Sequence, residues 1–260
     1  MLKTLVVTSW NTKLYNEYAH RFWDTFPHDE LDLCVVSEDV DAPHVTLHMR
    51  AQRPFVQRNS IRPVKGFKWD AVRFSHKVYS IFHCARTLDT DWLIWMDADT
   101  VVHSNWSYED FLSFLPKNVW ITYVGRGKGV NPGPNGQMVV KNWPECGFYG
   151  MNLNHPVCHE FLKEFERMYE EADNGIFTLE EWHDSYVFGS ILFEMKNDFP
   201  EVLDYSEELF VQTARTGGGG HPLINSRLGA YIDHMKGDRK FQGKSKKKDL
   251  IVDRTEDYWN

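Results

Sequence analysis

Several things are scarce in this sequence. No stretch approaches 18 consecutive apolar residues, so no transmembrane helix is expected. The opening MLKTLVVTSWN holds a short apolar run without a small-residue cleavage site, and reads as a first strand rather than a signal peptide. The four cysteines include no CxxC pair, and Cys34 and Cys84 fall in apolar segments, which suits a reducing, cytoplasmic setting. No G-x-G-x-x-G occurs, which argues against a dinucleotide oxidoreductase. Cations are outnumbered: 29 Lys and Arg against 37 Asp and Glu leave a net charge of −8, which disfavours a surface that grips nucleic acid throughout. The run His155-Pro156-Val157-Cys158-His159 lacks the second ligand pair of a zinc site. No internal repeat is visible.

What is present is the composition of a globular protein: 260 residues, 42% hydrophobic, with an aromatic share of 15% that includes 10 Trp. Such a chain fits one large domain of two intimate halves. The cations it does have are clustered. Residues 50–77 carry eight Lys and Arg against one acid, Asp70, and residues 236–248 carry seven more. Two basic islands on an acidic chain suit a ligand that bears phosphate.

Residues 2–8 predict a buried strand, and Leu14, Tyr18, Phe22 and Phe26 an amphipathic helix ended by Pro27. A second strand over 31–36 completes the opening of a parallel α/β sheet. Residues 50–66, with two prolines and no period, predict a loop. Phe67, Ala71, Phe74, Val78, Ile81, Ala85 and Leu88 mark a long helix, followed by the apolar strand Trp92–Met96. Strands are expected at 119–124, 137–140 and 147–153, the first two flanking a loop GRGKGVNPGPNG. Helices are expected from Pro156 and over about 180–196. The four glycines Gly217–Gly220 suggest a hinge or a plain spacer, and the lysine-rich residues 241–260 a peripheral tail.

The Trp92–Met96 strand runs into Asp97-Ala98-Asp99, and open α/β sheets bind ligands at the carboxyl ends of their strands. Two carboxylates one residue apart can share a divalent cation if the chain turns there, and such a cation neutralises a departing diphosphate. Downstream, His234-Met235-Lys236-Gly237-Asp238-Arg239-Lys240 forms an H-x-x-G-x-x-K array. Its imidazole suits the same cation, its glycine permits close backbone approach, and its lysine brings positive charge to phosphate.

Together with Phe74-Ser75-His76-Lys77-Val78, these stretches resemble retaining glycosyltransferases of the glycogenin and bacterial galactosyltransferase type. The resemblance implies the α/β GT-A fold, a Rossmann-like nucleotide-binding half with a mixed sheet fused to an acceptor-binding half. It implies one catalytic domain over 1–240, divided at 102/103, with 241–260 outside it. It implies Mn²⁺ or Mg²⁺ on Asp97, Asp99 and His234, and donor contacts from Asp97, Lys77, Gly237 and Lys240. Thr8, Ser9, Trp10 and Asn11 would hold the base. His183-Asp184-Ser185-Tyr186 resembles the family's D-Q-x-x helix start, with serine in place of glutamine. Glu145-Cys146-Gly147 stands where the family has N-(S/A)-G. Asp184 and Glu145 are therefore the candidate catalytic carboxylates. The expected activity moves a sugar from a nucleoside-diphosphate sugar, a UDP-sugar being favoured, to a hydroxyl acceptor with retention. A glycan acceptor is favoured over protein or modified DNA. The alternatives are a sugar-nucleotide nucleotidyltransferase, which usually has a glycine-rich turn where this chain has Thr8–Asn11, and a non-enzymatic carbohydrate-binding protein.

Overall fold

The computed structural model describes residues 2–132, 138–206 and 221–260, with backbone alone for 127–132 and 138–142. The hinge expected at Gly217–Gly220 lies outside the described residues.

The opening strand, β1 (Thr4–Ser9), leads into α1 (Thr12–Leu14), a π-helical turn (Tyr15–Ala19) and α2 (His20–Thr25). The apolar spacing of four residues is wider than an α-helical turn, and the π turn absorbs the difference, letting Tyr18, Phe22 and Phe26 all reach the core. Then come β2 (Leu33–Ser37) and the short β3 (Leu47–His48). The loop expected over 50–66 contains a helix, α3 (Arg53–Asn59). Pro54 sits in its first turn, where proline costs little, and only Phe55 and Asn59 are buried, too few to set a visible period.

The long helix α4 (Ala71–Thr87) begins later than its apolar stripe suggests. The Asp70 side chain accepts from the Arg73 amide and caps it, leaving Phe67 in a separate 3₁₀ turn and largely exposed. Next are β4 (Trp92–Met96), fully buried, β5 (Thr100–Val102) and α5 (Tyr108–Leu112). The three strands expected beyond 119 are two long ones, β6 (Ile121–Pro132) and β7 (Met138–Asn152), and the glycine-rich loop is largely absorbed into their ladder. The remainder is α6 (Pro156–Glu170), α7 (Asp184–Met195), β8 (Val202–Asp204), α8 (Pro222–Asn225), β9 (Ile232–His234) and α9 (Arg239–Gln242).

Seven strands make one mixed sheet in the order β3-β2-β1-β4-β7-β6-β8. The first four are parallel, and β7 pairs antiparallel to β4. A separate antiparallel ladder joins β5 to β9 and sets Thr100 opposite His234. Helices α4, α6 and α7 cover one face and bury Val78, Phe161, Phe165 and Phe188, while α2 and α5 pack with Trp106 on the other.

Residues 241–260 are not a peripheral tail. The Ser245 amide and hydroxyl both donate to the buried Asp233 carboxylate, at 2.7 and 2.6 Å, and the Tyr258 hydroxyl donates to it at 2.8 Å. Arg239 and Asp249 form a bidentate pair, and Trp259 is buried with its indole N–H on the Gly229 carbonyl. Lys246, Lys247 and Lys248, which make the segment look solvated, are exposed between these anchors, while Lys244 turns in to the Tyr258 carbonyl.

Candidate active site

Three elements meet at one point. After β4 the chain turns: the Asp97 amide donates to the Gly147 carbonyl at 2.9 Å, and the Thr100 amide to the Asp97 carbonyl at 3.1 Å. That turn brings both aspartates of Asp97-Ala98-Asp99 to one side. The β5–β9 ladder then delivers His234, whose Nε2 lies 3.0 Å from Asp99 Oδ1 and 3.4 Å from Asp97 Oδ2. Ligand-capable atoms of Asp97, Asp99 and His234 fall within 4.8 Å of one another, and this is the one such group among the described residues. Two carboxylates and an imidazole suit Mn²⁺ or Mg²⁺ better than a thiophilic metal.

The imidazole is held by its surroundings. His234 is 1% exposed. A Cβ on Gly147 would stand 2.2 Å from His234 Nδ1, so only glycine at that point of β7 leaves room for the ring. Glu145, also 1% exposed, presents Oε1 3.6 Å from Nδ1. Burial disfavours the imidazolium, but Asp99 and Asp97 outweigh it and push the His234 pKa up to about 9 in the metal-free chain.

Asp97 and Asp184 share one cation. Lys77 Nζ lies 2.8 Å from Asp97 Oδ1 and 2.8 Å from Asp184 Oδ2, and donates to the Cys146 carbonyl. Burial works against the Lys77 charge, yet the two carboxylates outweigh it and hold its pKa above the ordinary lysine value. Asp97 also accepts from the Trp95 indole at 2.7 Å. Desolvation raises its pKa, but Lys77 and His234 prevail and keep it well below the usual carboxylate range. Asp184 opens α7 as expected, though as half of a buried ion pair rather than as a solvated helix-start carboxylate.

Glu145 has its own cations: Lys236 contacts it directly and Arg126 Nε is 3.3 Å away. Burial raises its pKa, but Lys236, Arg126 and His234 more than compensate and hold the group ionised. Lys240 reaches within 3.7 Å of Asp99 and stands over the Tyr18 ring. The cluster thus opposes four carboxylates, Asp97, Asp99, Asp184 and Glu145, to four permanent cations, Lys77, Arg126, Lys236 and Lys240. A divalent ion would make it doubly positive, which suits a diphosphate diester.

Two cavities open onto this cluster and share Arg73, Phe74, Lys77, Asp97, Asp99 and Lys240 in their walls. The N-terminal one, about 730 Å³, lies at the carboxyl ends of β1, β2 and β4 and includes Ser9, Trp10 and Asn11. Thr8 is not among its lining residues; it is fully buried within β1. The Trp10 indole N–H is committed to the Pro43 carbonyl and the Asn11 side chain to the Leu14 amide, so both present ring face or backbone to the cavity. The C-terminal cavity, about 800 Å³, is lined by Asp184, Glu145, His234, Gly237, Trp143 and Tyr186, among others. Gly237 adopts a left-handed φ of 59° with open space where a Cβ would be. Arg73, Arg126 and Lys236 are not singled out by the sequence as site residues, although Arg73 and Lys236 belong to the two basic islands. Lys236 lies inside the array as a variable position, and Arg126 sits in what looks like loop.

No family model matches the sequence, and no curated protein matches it. Solved structures do. A complex of the galactosyltransferase LgtC with donor and acceptor sugar analogues is 11% identical, over 90% of this chain and 87% of that one, at a TM-score of 0.50. An active-site mutant of LgtC gives the same identity and coverage at a TM-score of 0.52. The fold is GT-A. A glycosyltransferase involved in glycosylation of the major capsid of PBCV-1 is 13% identical over 93% of this chain and 98% of that one, at a TM-score of 0.48. The GT-A architecture explains why the cavities sit where they do. Its parallel strands end at one cavity, and its antiparallel strand β7 with α7 walls the other.

Proposed function

We propose that the protein is a metal-dependent glycosyltransferase that moves a sugar from a nucleoside-diphosphate sugar to a hydroxyl acceptor. The observation that carries this reading is the placement of the Asp97, Asp99 and His234 group where two cavities meet, both aspartates lining both cavities and His234 the C-terminal one. Asp97, Asp99 and His234 would hold Mn²⁺ or Mg²⁺, which when bound acts as a Lewis acid toward the leaving diphosphate. Ser9, Trp10 and Asn11 would border the base of a UDP-sugar, and Lys77, Gly237 and Lys240 its phosphates.

In the reading we favour, the reaction proceeds with retention. Asp184 stands in the acceptor-side cavity next to Lys77 and stabilises positive charge developing on the sugar. Glu145 acts at one remove. Its carboxylate is engaged by Lys236 and Arg126 and lies 3.6 Å from His234 Nδ1, too far for a hydrogen bond, so its charge favours a proton on Nδ1 and leaves Nε2 for the metal. A single catalytic domain divided near residue 102 fits the two cavities, and a reducing cytoplasm fits four free buried thiols. No helix among the described residues is long and apolar enough to cross a membrane.

A panel of nucleotide sugars with Mn²⁺, read as released nucleoside diphosphate, tests the proposal. Turnover of one donor, lost with EDTA and restored by Mn²⁺, is expected. Turnover indifferent to EDTA would remove the metal from the reading, and inertness toward every donor would remove the activity.

A further inference from the structure

Of the six large apolar side chains exposed on the described surface, three fall within seven residues of one another. Ile61 is 89% exposed, Val64 55% and Phe67 60%. Scattered surface apolar residues are ordinary, but a run of them in one short segment is not. The segment is also not a loose loop. At its start the Arg62 amide and guanidinium bond to Asn59, the guanidinium reaches Asp173, and it lies 3.8 Å from the Phe177 ring centroid. At its end Lys68 pairs with Glu181, the Lys68 carbonyl accepts from the Trp182 amide, and the Trp69 indole donates to the Glu180 carbonyl. Between these anchors the apolar side chains stand in solvent, and packing within the chain does not recover the cost of exposing them.

Within the segment itself the charge has one sign; the acids beside it, Asp173, Glu180 and Glu181, belong to the segment that anchors it. From Arg50 to Trp69 there is no acid, on a chain whose net charge is −8. Arg62 and Lys68 are spent on the anchors, while Lys65 and Arg58 are exposed and carry no ion pair among the described residues. Exposed apolar residues interleaved with unpaired cations are what an anionic bilayer surface binds: the apolar groups enter the headgroup boundary and the cations meet the lipid phosphates. Phe67 continues the patch into the active site, because it and Lys68 line the acceptor-side cavity and its ring stands 6.2 Å from that of His183.

We propose that residues 58–68 form an interfacial docking surface for anionic lipid, which brings the mouth of the acceptor-side cavity to the headgroup layer. The hydroxyl acceptor is then a glycan borne on a lipid. The second statement rests on the glycosyltransferase reading; the docking surface does not.

The test is flotation of the full chain with phosphatidylcholine vesicles, with and without phosphatidylglycerol. The wild type should float with the anionic vesicles alone, and added salt should weaken binding. A double variant, Ile61→Asp with Val64→Asp, should reduce vesicle binding by at least about tenfold while leaving nucleoside-diphosphate release in solution unchanged, since neither residue lines a cavity. Lys65→Glu should weaken flotation less. A wild type that stays in the soluble fraction, or a double variant that floats equally well, overturns the proposal. So does a wild-type dimer in light scattering that becomes monomeric in the variant, which would make the patch a self-association surface. Failure of donor turnover with flotation intact would strike the glycosyltransferase reading and leave the docking surface standing.

Discussion

The two cavities share a wall at Asp97 and Asp99 but are built by different kinds of structure. The N-terminal cavity is framed by the ends of parallel strands and the start of α4, from the first hundred residues apart from Lys240 and Phe241, and its shape follows from the sheet. The C-terminal cavity is assembled from β7, α7 and the segment after β9, which are far apart in sequence, and ion pairs tie it together. A cavity set by topology tolerates the loss of one side chain, because the backbone that frames it stays. A cavity set by buried ion pairs does not, because removing one partner leaves the other charge unpaired at several kcal/mol.

That contrast can be broken in several places. The largest effect is expected from deleting 245–260. Asp233 then loses three donors and the burial of Trp259 is lost, together more than about 5 kcal/mol, comparable with the whole stability of many domains. Limited proteolysis and a thermal melt should show an unfolded or barely folded chain; a truncated protein that melts like the parent would return the segment to the periphery.

Asp184→Asn comes next. Turnover should fall by roughly 10²–10³-fold with donor affinity nearly unchanged, if its charge is needed chiefly in the transition state. Lys77 keeps Asp97 as a partner, so the fold should survive. Single-turnover kinetics beside calorimetry with the nucleoside diphosphate would read both quantities, and an equal loss in both would put Asp184 with the donor contacts.

Smaller losses separate the support of His234 from the ligands themselves. Glu145→Gln should weaken Mn²⁺ binding by about 10–100-fold, the range for removing an outer partner of a ligating histidine. Gly147→Ala should do the same by pushing the ring aside, although it changes no charge. Mn²⁺ titration followed by electron paramagnetic resonance measures both without relying on activity. Full affinity in Gly147→Ala would mean that the ring has more room than its 2.2 Å clearance suggests.

The smallest effect is on stability without metal. A His234 pKa raised from 6.5 to about 9 adds stability that is complete below pH 6.5 and is lost as pH rises through about 9. The metal-free protein should therefore melt a few degrees lower at pH 10 than at pH 6 through this group, and His234→Gln should flatten that difference. An identical pH profile in the variant would assign the slope elsewhere.

How much of this was legible in the sequence depended on where the information sits. Asp97, Asp99 and His234 were readable because each has a local signature: a carboxylate pair after an apolar strand, and an imidazole heading a glycine and lysine array. Helix α3 was not, because a seven-residue helix with two buried side chains has no period to detect. The packing of 241–260 was hidden for another reason. Its anchors, Ser245, Asp249 and Trp259, are spaced irregularly among lysines, and their partners lie in other segments. Arg126 and Lys236 became visible only once β6, β7 and β9 were placed side by side around Glu145.

The β5–β9 ladder carries a consequence for the order in which the site comes into being. Asp97 and Asp99 belong to a part of the chain whose strands β1, β2 and β4 can pair among themselves as soon as they leave the ribosome. Their third companion is on a strand that, among the described residues, pairs only with β5 and is braced by Ser245 and Tyr258 through Asp233. During synthesis the proposed cation site would therefore lack its third residue until β9 has been made and has paired with β5. If the proposed metal site is right, tight affinity would come late, when β9 zips onto β5, and a half-made chain would hold the ion weakly.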